Sequence, residues 1–192
     1  MACAPAAPTR SPPWLLRDDH GQRPCLTVTA AGQRGGMVWL GLTVALSLLA
    51  LDQLTKWAAL DLLDLAARPI AVTPFFNLVM VWNRGVSFGM LDSLGALAPW
   101  LLSGLALAVV VGLLFWLRRS DNAMLATGLG LVIGGALGNV VDRLRYGAVV
   151  DFLDFHVAGW HWPAFNLADA GICVGAGLIL VDGLLAPRRE YT

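Results

Sequence analysis

The segment AFNLADAGICVGAGLILVDGLLA, residues 164–186, is long and apolar enough to cross a membrane. A helix needs about 20 such residues to span ~30 Å of hydrocarbon. Asp169 lies one helical turn inside this segment, and Asp151 lies 18 positions earlier, in the short stretch before it. A charge at the centre of a membrane helix costs roughly 2.5–3.5 kcal/mol, so an ionisable residue there indicates a functional site. We therefore expect the chemistry of this chain at Asp151 and Asp169.

The composition places the chain among integral membrane proteins. Of its 192 residues 57% are hydrophobic and 14% are charged, whereas soluble domains carry about 25% charged residues. The net charge is zero, which argues against a nucleic-acid partner.

The chain divides into three parts. Residues 1–36 are rich in proline and arginine and show no helical pattern, which predicts a disordered cytoplasmic tail. Met37 opens the first apolar run and is an alternative start. Residues 37–186 form the predicted membrane domain, and residues 187–192 a cytoplasmic tail.

Four apolar runs in this domain are predicted to be transmembrane helices. They cover residues 37–51 with a helical extension to 56, 94–117, 123–141 and 163–186. With both termini inside, eight Lys and Arg residues face the cytoplasm and five face outward. The positive-inside rule favours this orientation, which puts Asp151 and Asp169 at the outer face.

Two predicted outer segments connect the spans. Residues 70–82 are rich in β-branched and aromatic side chains, which predicts a small extracytoplasmic β element between the first two helices. Pro69 and Pro74 confine any strand there to an edge. The other segment, 142–162, is polar with a few aromatics. The predicted fold is an all-α membrane protein with four transmembrane helices and this β element.

Polar residues recur at helical spacing near the span ends. Asp52 and Lys56 are four apart and can pair, either as an ion pair at the end of a span or as part of a site. Asn139, Asp142 and Arg143 share one face of the third span. The guanidinium there either forms a structural pair or orients a head group or a substrate carbonyl.

Two further patterns carry glycine. Asn83 and Gly85 mark a turn, which is either a plain hairpin turn or a loop that offers polar groups to a bound peptide. Gly130, Gly134 and Gly138 repeat every four residues along the third span, a pattern that lets another helix approach closely. We assign this glycine series a structural role only.

Asp151 and Asp169 could act as a pair. Two close carboxyls cannot both ionise readily, so one retains a proton near neutral pH. The ionised member can activate water as a general base, and the protonated member can donate to the scissile carbonyl or the leaving amine. Asn166, three residues before Asp169, can orient either group. This chemistry needs no metal or cofactor. The alternative is a proton relay in a small proton-coupled transporter or structural membrane protein.

Five sequence blocks together resemble the lipoprotein signal peptidases (signal peptidase II), four-span aspartyl proteases of the bacterial inner membrane. The resemblance covers about residues 37–186. Its blocks are DQLTK (52–56), NRGVSFG (83–89), GNVVDR (138–143), VVDF (149–152) and FNLAD (165–169).

The resemblance implies that Asp151 and Asp169 are catalytic. It also implies a supporting or substrate-contacting set, made of Asp52, Lys56, Asn83, Gly85, Asn139, Asp142, Arg143 and Asn166. The implied substrates are prolipoproteins with a diacylglyceryl group on a cysteine, cut just before that cysteine. Membrane lipids are the other implied partners. Neither a metal, a cofactor, nor an obligatory protein partner is expected.

Overall fold

The computed structural model of the protein describes residues 30–85 and 97–185. Most of the tail predicted over residues 1–36, and all of the tail predicted over residues 187–192, lie outside these ranges. The described residues include four helices that are long and apolar enough to cross a membrane. The predicted helical membrane fold is confirmed for this part of the chain.

The helices begin and end close to the predicted spans. Helix α1 covers Ala30–Trp57 and continues as a π-helical turn, Ala58–Leu62, while α2 covers Ala98–Leu117, α3 covers Ala123–Tyr146 and α4 covers Leu167–Leu185. Helix α1 therefore begins before Met37, within the predicted disordered tail. Once the apolar run is helical, each added residue gains a hydrogen bond at little cost, so the helix extends without an apolar pattern.

Two other ends are set by capping residues. Helix α3 continues past the predicted end at Val141 and stops at Gly147, which adopts a left-handed conformation with φ 72° and donates its N–H to the Arg143 carbonyl at 3.0 Å. Helix α4 begins at Leu167 rather than at Pro163, because Asn166 caps it as described below.

Helix α3 is the central helix of the bundle. Gly130 and Gly134 lie against backbone carbonyls of α1, and Gly135 lies against the carbonyl of Ala168 in α4. A Cβ atom at any of these glycines would overlap that backbone, so the small residues permit the close approach of α1 and α4. The predicted packing role of this series is thus confirmed for Gly130 and Gly134.

A four-stranded antiparallel sheet joins the helix ends. Its strands are β1 (Ile70–Thr73), β2 (Phe76–Asn83), β3 (Val149–Val157) and β4 (Trp160–His161), in the order β1-β2-β3-β4. The predicted β element supplies β1 and β2. The segment between α3 and α4, for which the sequence analysis predicted no strand, adds β3 and β4 to the same sheet.

The sheet is held to the helices by an apolar cluster. Ala59 of the π-helical turn and Leu65 pack with Val150 and Phe152 of β3, and all four are buried. Because β3 follows directly after α3, this cluster fixes the strand against the end of α1. The position of Asp151, between Val150 and Phe152, is fixed with it.

Candidate active site

Asp169 lies in the first turn of α4, where it forms a reciprocal cap with Asn166. The Asn166 carbonyl accepts the Ala170 N–H at 3.2 Å, which makes Asn166 the N-cap. Its side-chain Oδ1 accepts the Asp169 N–H at 3.0 Å, and the Asp169 Oδ2 accepts the Asn166 N–H at 3.3 Å. The carboxylate therefore sits at the positive end of the helix dipole, which favours negative charge there.

Asp151 is buried in β3 with 1% of its surface exposed. Its Oδ1 accepts a hydrogen bond from Asn166 Nδ2 at 2.7 Å, and its Oδ2 accepts one from Asn83 Nδ2 at 2.9 Å. The strand register explains the second contact, since Asn83 ends β2 and lies opposite Val149 at the start of β3. Asn166 therefore contacts both carboxyl groups of the predicted pair, Asp151 through its side-chain Nδ2 and Asp169 through its backbone N–H.

The Asn83 side chain is itself held by a turn. Its Oδ1 accepts the Gly85 N–H at 2.8 Å, and Gly85 has a φ of 80°, a conformation that side-chain-bearing residues rarely adopt. The structure thus places the predicted turn next to Asp151. The rest of that sequence block, residues 86–89, lies outside the described residues.

The environment of Asp151 favours its protonated form. The net effect raises the pKa of this carboxyl to about 6: burial is the largest cause, the nearby Asp169 charge also raises the pKa, and the Asn83 hydrogen bond lowers it. The Asn166 hydrogen bond and the Lys56 charge lower it. Since the usual value is near 4, Asp151 can hold a proton much closer to neutral pH than an exposed aspartate.

A buried ion cluster lies behind the two carboxyls. Lys56 Nζ lies 2.8 Å from Asp52 Oδ2 and 2.7 Å from Asp142 Oδ2, and all three side chains are buried. The Asp142 Oδ2 also accepts the Val150 N–H at 3.2 Å. The cluster therefore joins α1, α3 and β3 at the residue next to Asp151.

Gln53 belongs to this cluster and was missed by the sequence analysis. Its Nε2 donates to Asp142 Oδ1 at 3.0 Å, Asp52 Oδ2 at 3.2 Å and the Gly138 carbonyl at 3.3 Å. Adjacent residues do not share a helix face, so its position next to Asp52 gives no sign of a common partner. Only the packing of α1 on α3 reveals it.

Asp52 extends the cluster to α4. Its Oδ1 accepts the Ala168 N–H at 3.0 Å, an N–H with no partner inside the helix. The carboxylate lies where a Cβ of Gly138 would be, since that atom would contact Asp52 Oδ2 and lie 3.1 Å from its Cγ. The glycine spacing predicted only helix packing for Gly138, but this residue also leaves space for the Asp52 carboxylate.

We predict that Gly138→Ala destabilises the protein and lowers its activity. The added methyl group forces the Asp52 carboxylate away from Lys56 and Ala168, and such overpacking costs about 1–3 kcal/mol. Thermal unfolding in detergent measures the loss. Gly112→Ala is the control, because a Cβ at Gly112 meets nothing within 4 Å. Equal melting temperatures for the two variants would contradict this role of Gly138.

Arg143 and Asn139 complete the predicted set. Asn139 Nδ2 donates to Asp169 Oδ1 at 2.8 Å, and Arg143 Nη1 contacts the Asn139 carbonyl oxygen at 3.4 Å. Within the part of the chain that the structure describes, the buried Arg143 Nε has no hydrogen-bond partner.

The two histidines of the sheet lie in a separate cluster. His161 Nδ1 is 2.9 Å from Asp154 Oδ1, Asn77 Nδ2 donates to Asp154 Oδ2 at 3.0 Å, and the His156 and His161 rings stack 4.9 Å apart. In the described ranges, no group of three or more His, Cys, Asp or Glu residues is placed to hold a metal ion. The contacts of Asp154 with Asn77 and His161 link strands β2, β3 and β4.

Removing the Asn83 amide should shift the pH dependence of activity. The amide donates to Asp151 and so lowers the pKa of its carboxyl. In Asn83→Ala that pKa rises above its value of about 6, so the limb of the pH–rate profile that reports Asp151 moves to higher pH. Hydrogen bonds to charged groups contribute about 1.5–3 kcal/mol, so we expect at least about a tenfold loss of rate.

Asn77→Ala is the matched control, since Asn77 lies on the same strand and donates to Asp154 instead. Its profile should keep the wild-type limbs. An Asn83→Ala profile that superimposes on the wild-type profile would show that this amide does not tune Asp151.

The chain is similar to proteins of one peptidase family. Residues 44–185 match the family model described as signal peptidase (SPase) II. The lipoprotein signal peptidase of Ralstonia nicotianae is 46% identical over 173 residues, which cover 89% of this chain and 98% of that protein. The lipoprotein signal peptidase of a Methylobacterium species is 47% identical over 151 residues, covering 78% and 92%.

Two solved structures have a similar fold. A bacterial membrane enzyme determined by the in meso method at 2.3 Å resolution matches with a TM-score of 0.66 and 25% identity, over 79% of this chain and 93% of that one. Another, determined by the same method at 1.9 Å resolution, matches with a TM-score of 0.64 and 27% identity, over 77% and 93%.

Proposed function

The chain belongs to the signal peptidase II family, and from that premise we propose that it removes signal peptides from lipoproteins as an aspartic endopeptidase of the membrane. Asp151 and Asp169 are the catalytic residues of this proposal. The observation that carries it is the shared contact of Asn166, whose side chain donates to Asp151 and accepts from the backbone of Asp169. The backbone N–H of Asn166 also donates to the Asp169 carboxyl, so one residue holds both carboxyls of a pair suited to general acid–base chemistry.

In the proposed reaction the pair divides the proton transfers. The ionised carboxylate takes a proton from a water molecule, whose oxygen attacks the scissile carbonyl carbon, while the protonated carboxyl donates its proton to the carbonyl oxygen. The tetrahedral intermediate then collapses: one of its hydroxyl groups returns a proton to the carboxylate that had donated one, the C–N bond breaks, and the leaving nitrogen receives the proton held by the other carboxyl. The products are a signal peptide with a new carboxylate and a chain with a free amine.

We assign the supporting residues to the placement of these groups. Asn83 and Asn166 hold Asp151, and Asn139 holds Asp169. Arg143 lies close enough for its charge to act on both aspartates, so its guanidinium is suited to a substrate carbonyl. Gly85 shapes the turn that positions Asn83.

The proposed substrates are prolipoproteins that already carry a diacylglyceryl group on a cysteine, and the cut falls just before that cysteine. A lipid-anchored substrate presents this bond near the membrane surface. The depth of the site supports the match, because Asp169 lies in the first turn of a candidate span and Asp151 lies in the adjoining sheet.

We place the protein in the bacterial inner membrane with both termini in the cytoplasm. The site then faces the extracytoplasmic side, where the sheet lies. Arg118 and Arg119 follow α2 and would face the cytoplasm. A reporter fused after Arg119 tests the topology, and an extracytoplasmic signal from it would reverse the orientation.

The purified chain in lipid, given a prolipoprotein with or without the diacylglyceryl group, tests the proposed function. We expect cleavage before the modified cysteine, much slower cleavage of the unmodified chain, and no effect of EDTA. Loss of activity in EDTA that zinc restores would indicate a metalloprotease. A chain that cleaves neither substrate but carries protons across proteoliposomes would support the relay instead.

A further inference from the structure

The buried Lys56 ammonium contacts the amide of Asn139 as well as its two carboxylates. We propose that Lys56 is a positioning residue that sets the direction of the hydrogen bonds received by both catalytic aspartates. The proposal rests on the catalytic roles assigned above. Lys56 is 2% exposed, and within the described residues it makes no hydrogen bond to Asp151 or Asp169. Any effect on them therefore acts through its partners Asn139, Asp52 and Asp142 or through charge, and Asn139 is the partner that itself donates to a catalytic carboxyl.

The ammonium of Lys56 has three donors and no acceptor. In this structure it has three acceptors, which are Asp52 Oδ2 at 2.8 Å, Asp142 Oδ2 at 2.7 Å and Asn139 Oδ1 at 3.2 Å. Because each N–H of the ammonium has one acceptor, no N–H is left for a water molecule. The Asn139 amide must therefore present its oxygen, and not its NH₂, to Lys56.

The orientation of Asn139 then determines what Asp169 receives. With its oxygen toward Lys56, Asn139 turns its Nδ2 toward Asp169 Oδ1 and donates at 2.8 Å. A flipped amide would place its NH₂ against the ammonium and its oxygen against the carboxylate, so both contacts would be repulsive. In a buried site of low dielectric, such unpaired or opposed groups are costly.

The same amide extends the effect to Asp151. Asn139 Oδ1 also accepts Asn166 Nδ2 at 3.2 Å, and that Nδ2 donates to Asp151 Oδ1 at 2.7 Å. The Asn166 oxygen meanwhile accepts the Asp169 N–H. Because the Lys56 ammonium can only donate, it holds the two amides so that Asn139 donates to Asp169 and Asn166 donates to Asp151. With this orientation neither amide turns its oxygen toward a catalytic carboxyl.

Removing Lys56 alone would leave two buried carboxylates without a counter-charge, so the test uses paired substitutions. Lys56→Met/Asp52→Asn keeps the formal charge of the wild type. Its matched control is Asp52→Asn, which retains the ammonium and an oxygen for the Ala168 N–H. Lys56→Met/Asp142→Asn with its control Asp142→Asn repeats the comparison with the other carboxylate.

We expect each double variant to fold but to melt below its control, because the remaining buried carboxylate loses its counter-charge, and to have a kcat about a hundredfold lower, with KM changed less than threefold. A folded double variant with kcat within threefold of its control overturns the proposal. Failure of both doubles to fold, with both controls folded, also overturns it, because Lys56 would then act in folding alone.

A measurement without substrate separates this proposal from the catalytic one. The titration midpoint of the Asp151 carboxyl, followed by ¹³C NMR with Asp151→Asn for assignment, should rise in each double variant relative to its control. The Lys56 charge lowers that pKa in the wild type, opposing burial and the Asp169 charge. An unchanged midpoint would contradict the proposed role of Lys56. If the midpoint shifts but the wild type cleaves no prolipoprotein, only the proposed function is contradicted.

Discussion

Asp151→Asn and Asp169→Asn should each lower the rate of signal-peptide cleavage by at least about a thousandfold, near the upper part of the range for acid–base catalysis. An asparagine side chain has nearly the size of aspartate but neither accepts nor releases a proton at neutral pH. At Asp151 the new amide must also place an NH₂ beside the Asn83 or Asn166 donor. Single-turnover cleavage of a lipidated prolipoprotein by purified variants gives the rates.

Two other aspartates provide matched controls for this prediction. Asp154 is buried on the same strand as Asp151, where His161 and Asn77 hold it, and Asp182 lies on the same helix as Asp169. Asp154→Asn and Asp182→Asn should cleave within threefold of the wild type. If Asp151→Asn or Asp169→Asn cleaves within tenfold of the wild type, the two carboxyls do not form a catalytic pair.

Asp142→Ala should be the most destabilising of the substitutions predicted here, at about 3–5 kcal/mol, because it leaves a buried charge without one of its partners. Lys56 loses its 2.7 Å contact, and the Gln53 amide and Val150 N–H lose acceptors. At about 2–4 °C per kcal/mol for a chain of this size, the melting temperature should fall by about 6–20 °C. Activity should fall as well, since Val150 precedes Asp151 in β3.

The exposed Asp121, in the connection between α2 and α3, is the control for this substitution. Asp121→Ala should leave the melting temperature unchanged to within about 2 °C, because surface substitutions have small effects. An Asp142→Ala variant that melts as high as Asp121→Ala would mean that the ion cluster contributes little to stability.

The features that the sequence predicts are those that local patterns determine. Apolar runs of sufficient length predict the helices, and the cost of a charge near hydrocarbon identifies Asp169. Asn166 and Asp169 are three residues apart, so their cap could also be read from the chain. The turn at Asn83 is likewise local, because its oxygen contacts the N–H two residues later.

The features that the sequence does not predict depend on contacts between distant segments. Asp52 caps a helix 116 residues away, and Gln53 reaches Asp142 over 89 residues. Strand β3 was missed because its two aspartates, Asp151 and Asp154, interrupt the apolar pattern, and both are buried only through partners on other strands and helices. Such pairings require the packed structure, since no local spacing encodes them.

The masses of the products formed by the wild type, Asp151→Asn and Asp169→Asn test the proposed dyad most directly. Each purified chain is incubated in lipid with the same diacylglyceryl-modified prolipoprotein and EDTA. We predict that the wild type yields a mature chain beginning at the modified cysteine and that neither variant yields it. If either variant forms the same product at a rate near that of the wild type, the proposed dyad is contradicted. If the wild type cuts at another bond, the proposed cleavage site is contradicted.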